Sequence, residues 1–267
     1  DKDVVITGAG SGIGRALAEA FAMRGARCAI SDVNAVGLQR TLAKLQGDGH
    51  FSAPLDVADK DAFFAYAQNV VENMGGIDIV INNAGVAVSQ TVEELSYDDM
   101  EWIMNINFWG VVHGTKAFLP HLKKAEEGWV VNISSIFGIV GVPTQGIYNA
   151  TKFAVRGFTE ALSQELAGSS THALSVHPGG IRTNIATSAR FYKDMANNSD
   201  QERSAKAFAK AARVTPEEAA KSIIDAIEKR RRRLLIGKDA QVIDVLQRAM
   251  PSRYGDVTAK LLKTFLK

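Results

Sequence analysis

The stretch that most constrains the fold lies near the start of the chain. Val4-Val5-Ile6 is a β-branched run without alternation, as in a strand covered on both faces, and it runs directly into Thr7-Gly8-Ala9-Gly10-Ser11-Gly12-Ile13-Gly14. A helix pattern follows, with Ala16, Leu17, Ala20, Phe21 and Ala22 on one apolar face. The glycines therefore fall where a strand turns into a helix N-terminus. Backbone N–H groups and the helix dipole bind anions there, and missing Cβ atoms let a pyrophosphate approach closely. Tight packing is the competing explanation for a glycine-rich turn, but the strand–glycine–helix context is the one a dinucleotide loop requires.

Ala29-Ile30-Ser31-Asp32 ends a second strand, with Val33 next. An acidic residue about 20 residues after the glycines is placed to accept hydrogen bonds from an adenosine ribose. Asp32 would repel a 2′-phosphate and Ser11 offers no cation to offset it, so NAD is expected over NADP, with Arg15 the one feature that tempers this. Asp32 could also be a helix N-cap. The unit then repeats: strand at 51–55, helix at 58–74, strand at 77–81. Strands alternating with helices make a parallel sheet with helices on both faces, and its ligands bind beyond the carboxyl ends of the strands. Asp56-Val57 and Asn82-Asn83-Ala84-Gly85 fall at two such ends. Asp56 suits an adenine amino group. Asn82 reads as structural, while Asn83 could either hold backbones together or lie beside the cofactor.

A second feature lies farther on. Tyr148 precedes Lys152 by four residues, which stacks both side chains on one face of a helix. A nearby ammonium favours the phenolate, so the phenol pKa is expected to fall and the pair reads as a proton-transfer device. This spacing also occurs by chance. It gains weight because Trp129-Val130-Val131-Asn132-Ile133 reads as a buried strand ending in Ser134-Ser135, and 136–147, with its glycines and Pro143, can loop back so that a serine faces the phenol. Residues 97–122 read as one long helix carrying Asn105 and Asn107, and an Asn inside an apolar helix hints at a bend or a bound water. Leu174-Ser175-Val176-His177 is a further strand, closed by Pro178-Gly179-Gly180 with Thr183 beyond; His177 reads as a satisfied core residue rather than a catalytic one. Residues 186–213 are polar but dotted with Phe191, Tyr192, Met195 and Phe208, which fits a mobile lid. Thr215-Pro216-Glu217-Glu218 starts a helix that runs into Arg230-Arg231-Arg232-Arg233, and cations at a helix C-terminus complement its dipole.

Composition excludes several classes. The 267 residues are 46% hydrophobic and 22% charged, as in an ordinary globular chain, and length permits one α/β domain at 1–238 with a helical tail at 239–267. A net charge of +2 provides no global field to recruit nucleic acid. Cys28 is the only cysteine and lies in an apolar strand, so it reads as buried and inert, and no metal site is expected. No run approaches a membrane span and the N-terminus enters a strand directly, so a cytoplasmic protein is expected, although the chain begins at Asp1 without Met and a leader could precede it.

With these residues in place, the chain resembles the short-chain dehydrogenases/reductases over roughly residues 3–238. The resemblance rests on Thr7-Gly8-x-x-x-Gly12-x-Gly14, Asn82-Asn83-Ala84-Gly85, Asn107, Ser135, Tyr148-x-x-x-Lys152 and Pro178-Gly179-x-x-x-Thr183, in family order and spacing. It implies a single Rossmann-type doubly wound parallel sheet of seven strands, a nicotinamide cofactor and hydride transfer between a secondary alcohol and a ketone. It implies Tyr148 as acid/base, Ser135 as hydrogen-bond donor to the substrate oxygen, Lys152 on the nicotinamide ribose, Asn107 holding a relay water, and Ile181 and Thr183 beside the carboxamide. Ile136, Phe137, Ile139, Val140, Val142, Phe191, Tyr192 and Phe208 suggest a bulky apolar substrate. A dehalogenase on this scaffold would lose the glycines, and a silent nucleotide-binding protein would be free to lose the tetrad. In the tail, Val242, Ile243, Val245, Leu246, Ala249 and Met250 recur at helical spacing, followed by a second stripe of Val257, Leu261, Leu262, Phe265 and Leu266 beside Lys260, Lys263 and Lys267. Docking on the domain or a partner subunit is expected, in a homodimer or homotetramer, with a membrane surface as the alternative.

Overall fold

The structure, a computed structural model, describes residues 2–257. Strand β1 (Asp3–Thr7) buries Val4, Val5 and Ile6 completely, and passes through the glycine turn to α1 (Gly12–Ala22), whose apolar stripe is buried. Next come β2 (Arg27–Asp32), α2 (Ala35–Leu42), β3 (Phe51–Pro54), α3 (Lys60–Met74) and β4 (Ile79–Asn82). Side chains of Asn34 and Asp59 accept first-turn N–H groups of α2 and α3, and Gly75, in the left-handed region, stops α3. The chain continues through β5 (Val88–Ser89), α4 (Tyr97–Met104), α5 (Gly110–Leu122), β6 (Gly128–Ile133), α6 (Gly146–Glu165) and β7 (Thr171–Pro178). Then come β8 (Arg190–Phe191), α7 (Gln201–Ala211), α8 (Pro216–Glu228), β9 (Arg233–Ile236) and α9 (Lys238–Ala249).

Seven strands form one parallel sheet in the order β3-β2-β1-β4-β6-β7-β9. The strand order reverses between β1 and β4, which opens a crevice beyond their carboxyl ends. Alternate strand residues enter opposite layers. Val4, Ile6, Ile81 and Val176 pack against α1 and α8 through Leu17, Phe21, Ile223 and Ile227, whereas Val5, Val80 and Val130 pack against Phe63, Val70, Phe118 and Leu162 of α3, α5 and α6. Cys28 is fully buried, and burial pushes its thiol up to about 12, so it is inert as expected.

Three stretches depart from the sequence reading. The helix expected over 97–122 is α4 and α5 joined by a π-helical turn, Asn105–Trp109, so the bend signalled by the mid-helix asparagines is a change of hydrogen-bond pitch. Residues 186–213 hold β8, which pairs in parallel with β5, and α7, capped by Asp200. This segment is fastened to α4. Arg190 Nη1 and Tyr192 OH donate to the two oxygens of Asp99 at 2.7 and 2.8 Å, and the guanidinium lies 3.6 Å from the centroid of the Trp102 ring. The apolar residues Ile136, Ile139 and Val140, expected to line a substrate pocket, are buried against Ala240 and Ile243 of α9 and against Tyr254.

Helix α9 therefore packs on its own domain, and Asp244 ties it to β9 by a bidentate pair with Arg233. The Tyr254 hydroxyl accepts the Gly141 N–H at 3.2 Å. Of the second tail stripe only Val257 is described; Leu261, Leu262, Phe265 and Leu266 lie outside the described residues. The arginine run lies just past α8, which stops at Glu228: Arg230 is in the left-handed region and paired to Glu127, and Arg233 opens β9. Among the described residues no helix is long and apolar enough to cross a membrane.

Candidate functional site

The glycine turn occupies the crevice between β1 and β4. Gly8 has φ +66°, and a Cβ there would lie 2.7 Å from the Ala84 Cα; a Cβ on Gly14 would overlap the Gly8 carbonyl. Only glycine fits both positions. Thr7 Oγ1 accepts the N–H groups of Asn83 and Ala84, each at 3.1 Å, while Asn83 Nδ2 donates to the carbonyls of Thr7 and Gly8 at 2.9 and 3.2 Å. The Asn83 side chain is thus committed to holding the turn. Asn82, its neighbour, donates to Asn132 and Thr115 inside the core at 2.8 and 3.2 Å, a structural role as expected. The first turn of α1 has neither a side-chain cap nor an acidic residue, so Ser11, Gly12, Ile13 and Gly14 present an electropositive helix end. A cleft of about 250 Å³ opens there, lined by Ser11, Gly12, Arg15 and Thr183 among others.

Asp32 closes the turn from the other side. Its oxygens accept Gly10 N and Asn34 N, both at 2.8 Å, and the cap of α2 is Asn34, so Asp32 is not the N-cap. Arg15 reaches the Gly10 carbonyl and, at 2.9 Å, Thr41 Oγ1. Beyond Asp32, exposed Val33 joins Leu55 and Asp56 around a hollow of about 470 Å³. Val57, next in the chain, is buried and packs closely against Gly110. On the far wall, Pro178 ends β7, Gly180 N donates to Asp239 at 2.8 Å, and Gly179 has no room for a Cβ beside that carboxylate. Ile181 bridges to Val214, and the Thr183 methyl comes within 3.2 Å of where a Gly12 Cβ would stand.

The titratable cluster sits beside this crevice. Ser135 follows β6, and its Oγ accepts Phe137 N at 3.1 Å, capping a short 3₁₀ turn. Tyr148 lies in the first turn of α6 and Lys152 one turn later, both buried. Lys152 Nζ donates to the Ile133 carbonyl at 3.0 Å and lies 5.7 Å from the Tyr148 ring centroid. Asn107, on the π turn, is fully buried: its Oδ1 accepts Val86 N at 2.8 Å and its Nδ2 donates to Val86 O and Thr151 Oγ1 at 2.9 and 3.2 Å. The structure thus brings together Asn107, Ser135, Tyr148 and Lys152, with Gly85 packed against Asn107 and Lys152.

The expected fall in the phenol pKa is not what the structure gives. Burial pushes Tyr148 up to about 12, outweighing the hydrogen bond with Ser135 that works the other way, and burial lowers Lys152 to about 8. Both groups have lost water, and the ammonium is aimed at a carbonyl rather than at the phenol oxygen.

The family model for short chain dehydrogenases matches residues 2–194. The chain belongs to the short-chain dehydrogenase family. Over 263 residues it is 46% identical to the protein named "Putative oxidoreductase SadH" of Mycobacterium tuberculosis, covering 97% of this chain and 94% of that one. It is 32% identical to the mouse (Mus musculus) "Dehydrogenase/reductase SDR family member 7B", covering 87% and 72%. Among solved structures, a short-chain dehydrogenase/reductase from Burkholderia phymatum in complex with NAD superimposes with a TM-score of 0.86 at 29% identity, covering 93% of each chain. An alcohol dehydrogenase from Thermococcus sibiricus complexed with 5-hydroxy-NADP gives 0.75 at 27% identity, covering 88% and 95%.

Some site residues escaped the sequence reading. Asn149, next to Tyr148, donates to the carbonyls of Phe137 and Val140, both at 2.7 Å, and accepts Val142 N, so it pins the loop after Ser135. A polar residue inside a helix motif was the available signal. Asp239 gave none, because its partner lies 59 positions away.

The shift of Lys152 sets a pH dependence. Between about 8 in the folded chain and 10.5 when unfolded, the unfolded state holds a Lys152 proton that the folded state has shed, so the contribution of this group to stability rises with pH in that window. The difference in urea midpoint between wild type and Lys152→Met should shift in favour of wild type from pH 8 toward 10, because the opposing contributions of buried Cys28 and the tyrosines are common to both chains; a difference that does not change with pH would show that Lys152 is not shifted as described.

Proposed function

We propose that this protein is an NAD-dependent oxidoreductase that interconverts a secondary alcohol and a ketone, with Tyr148 as general acid/base. The observation that carries the reading is the meeting of Ser135, Tyr148 and Lys152, all buried, beside an anion-binding turn at the strand reversal. The donors at the α1 N-terminus and the glycine positions that exclude a Cβ suit a dinucleotide diphosphate. Asp32 and Val33 would meet the adenosine ribose and base, with Asp56 and Val57 beside them. Pro178, Gly179, Ile181 and Thr183 would border the nicotinamide. When bound, the nicotinamide supplies a hydride acceptor or donor.

The chain's own residues handle the oxygen and the proton. Ser135 donates a hydrogen bond to the substrate oxygen, and Tyr148 passes a proton to or from it. Because burial places the phenol well above neutrality, Tyr148 is protonated at neutral pH, the form that acts as an acid in ketone reduction; alcohol oxidation draws on the phenolate. Lys152, mainly charged at neutral pH, lies close enough to stabilise that phenolate. Asn107 fixes the Val86 backbone and supports the proton path. Tyr148 also borders an apolar cluster of Val88, Leu95 and Ile103 with Phe137 and Ile185 packed on it, which supports a bulky apolar substrate. Half-exposed Trp109 and Phe153, on neighbouring helical elements, support a homodimer or homotetramer, which we place in the cytoplasm.

Tyr148→Phe should lower turnover by about 10²-fold or more while NAD binding is retained, because the phenol carries the proton and the dinucleotide contacts lie elsewhere. Turnover within about threefold of wild type would rule out the acid/base assignment. For the cofactor, wild type should prefer NAD to NADP, and Asp32→Ser should narrow the preference, since the carboxylate repels a 2′-phosphate. Equal binding of both cofactors by wild type would mean that Arg15 pairs with the 2′-phosphate, and would overturn this view of the pocket.

A further inference from the structure

His177 is fully buried on β7, and its ring makes two directed contacts. Nδ1 lies 3.2 Å from the carbonyl oxygen of Ser135, and Nε2 lies 3.0 Å from Ser175 Oγ. A carbonyl only accepts, so Nδ1 carries the proton and donates; Nε2 is then unprotonated and accepts from the Ser175 hydroxyl. Both ring nitrogens are committed, which fixes one neutral tautomer and one orientation.

The backbone explains why a side chain is needed at this point. The last β6–β7 ladder bond here runs from Ser134 N to Val176 O at 2.8 Å. The next donor on β7 would be the backbone of residue 178, but Pro178 has no N–H, so the ladder cannot continue. Ser135 leaves the sheet there, and its carbonyl takes a bond from Gly138 N at 2.9 Å and another from His177. The ring thus supplies a donor to the Ser135 carbonyl at the point where the β6–β7 ladder has stopped. With Oγ of Ser135 held by Phe137 N, these bonds fix the direction in which the Ser135 hydroxyl projects.

We infer that His177 is a positioning residue for the reaction: held in one tautomer by Ser175, it anchors the Ser135 carbonyl and so sets the aim of the Ser135 hydroxyl at the substrate oxygen. The inference rests on the function proposed above. It assigns His177 no contact with substrate or cofactor. Small misplacements of a group that orients a reacting atom cost rate more than they cost fold.

Two variants separate this role from core filling. His177→Leu keeps apolar volume and removes the donor, whereas His177→Asn places an amide N–H at the same δ position. His177→Leu should lower kcat by roughly 10–100-fold with the Kd for NAD within about twofold of wild type, and His177→Asn should recover most of that loss. In a Ser135→Ala background, His177→Leu should have little further effect, because the group it aims is gone. Equal loss in the Leu and Asn variants, or losses that multiply in the double variant, would overturn the inference and leave His177 a packing residue. Wild-type turnover in Ser135→Ala alone would instead overturn the role of Ser135, and this inference with it. Should His177→Leu fail to fold, Ser175→Ala tests the same point by freeing the ring: kcat should fall about threefold or more with NAD affinity unchanged, and an unaltered kcat would contradict the inference.

Discussion

Parallel strands that stop in one plane leave backbone N–H and C=O groups without ladder partners, and here side chains take up many of those groups along the carboxyl edge of the sheet. Asn83 and Thr7 bind the ends of β1 and β4 to each other, Asp32 holds Gly10, Asp239 holds Gly180, Lys152 holds Ile133 and His177 holds Ser135. Asn107 and Asn149 do the same for Val86 and for the loop after Ser135. The buried ones among these bonds, those to Ile133, Ser135 and Val140, satisfy groups that would otherwise be costly to bury. Together they tie the loops that carry the site to the strand ends.

Under the proposed function, the same residues serve structure and chemistry. Lys152 reaches the end of β6 through a hydrogen bond and, in doing so, buries a cation near a phenol. Burial moves the two pKa values toward neutral forms, Tyr148 upward and Lys152 downward, so that neither is held in its charged state by solvent. A group relieved of its solvent responds strongly to charge developing nearby, which is the condition a proton-transferring pair needs. The π turn belongs to the same arrangement. It carries Asn107, whose side chain ties the segment after β4 at Val86 to Thr151 of α6.

Much of this was legible in the chain itself. The glycine turn, the doubly wound sheet, the ends of the main strands, the Tyr148–Lys152 pairing and the capped start of α8 follow from local patterns, and the structure shows each of them. What escaped depends on distant partners. Asp99 meets Arg190 and Tyr192 across more than ninety positions, so the segment read as a mobile lid is fastened by residues that look like ordinary surface charge. Strands β5 and β8 are two residues each, too short for any periodicity to announce. The apolar run at 136–142 looked like a substrate wall because nothing local shows that α9 and Tyr254 return to cover Ile136, Ile139 and Val140. The direction of the Tyr148 shift was misread for a related reason: spacing reveals the neighbouring cation, but only the fold reveals how completely both groups are buried.

The most direct test of the account is nicotinamide absorbance, followed with the purified chain against bulky secondary alcohols with NAD and the matching ketones with NADH, at neutral and mildly alkaline pH. The account predicts turnover of at least one such pair, with alcohol oxidation faster at the higher pH because Tyr148 holds its proton well above neutrality. Cofactor binding shown by calorimetry together with no absorbance change for any pair would contradict it, and would point to a nucleotide-binding protein that performs no redox chemistry.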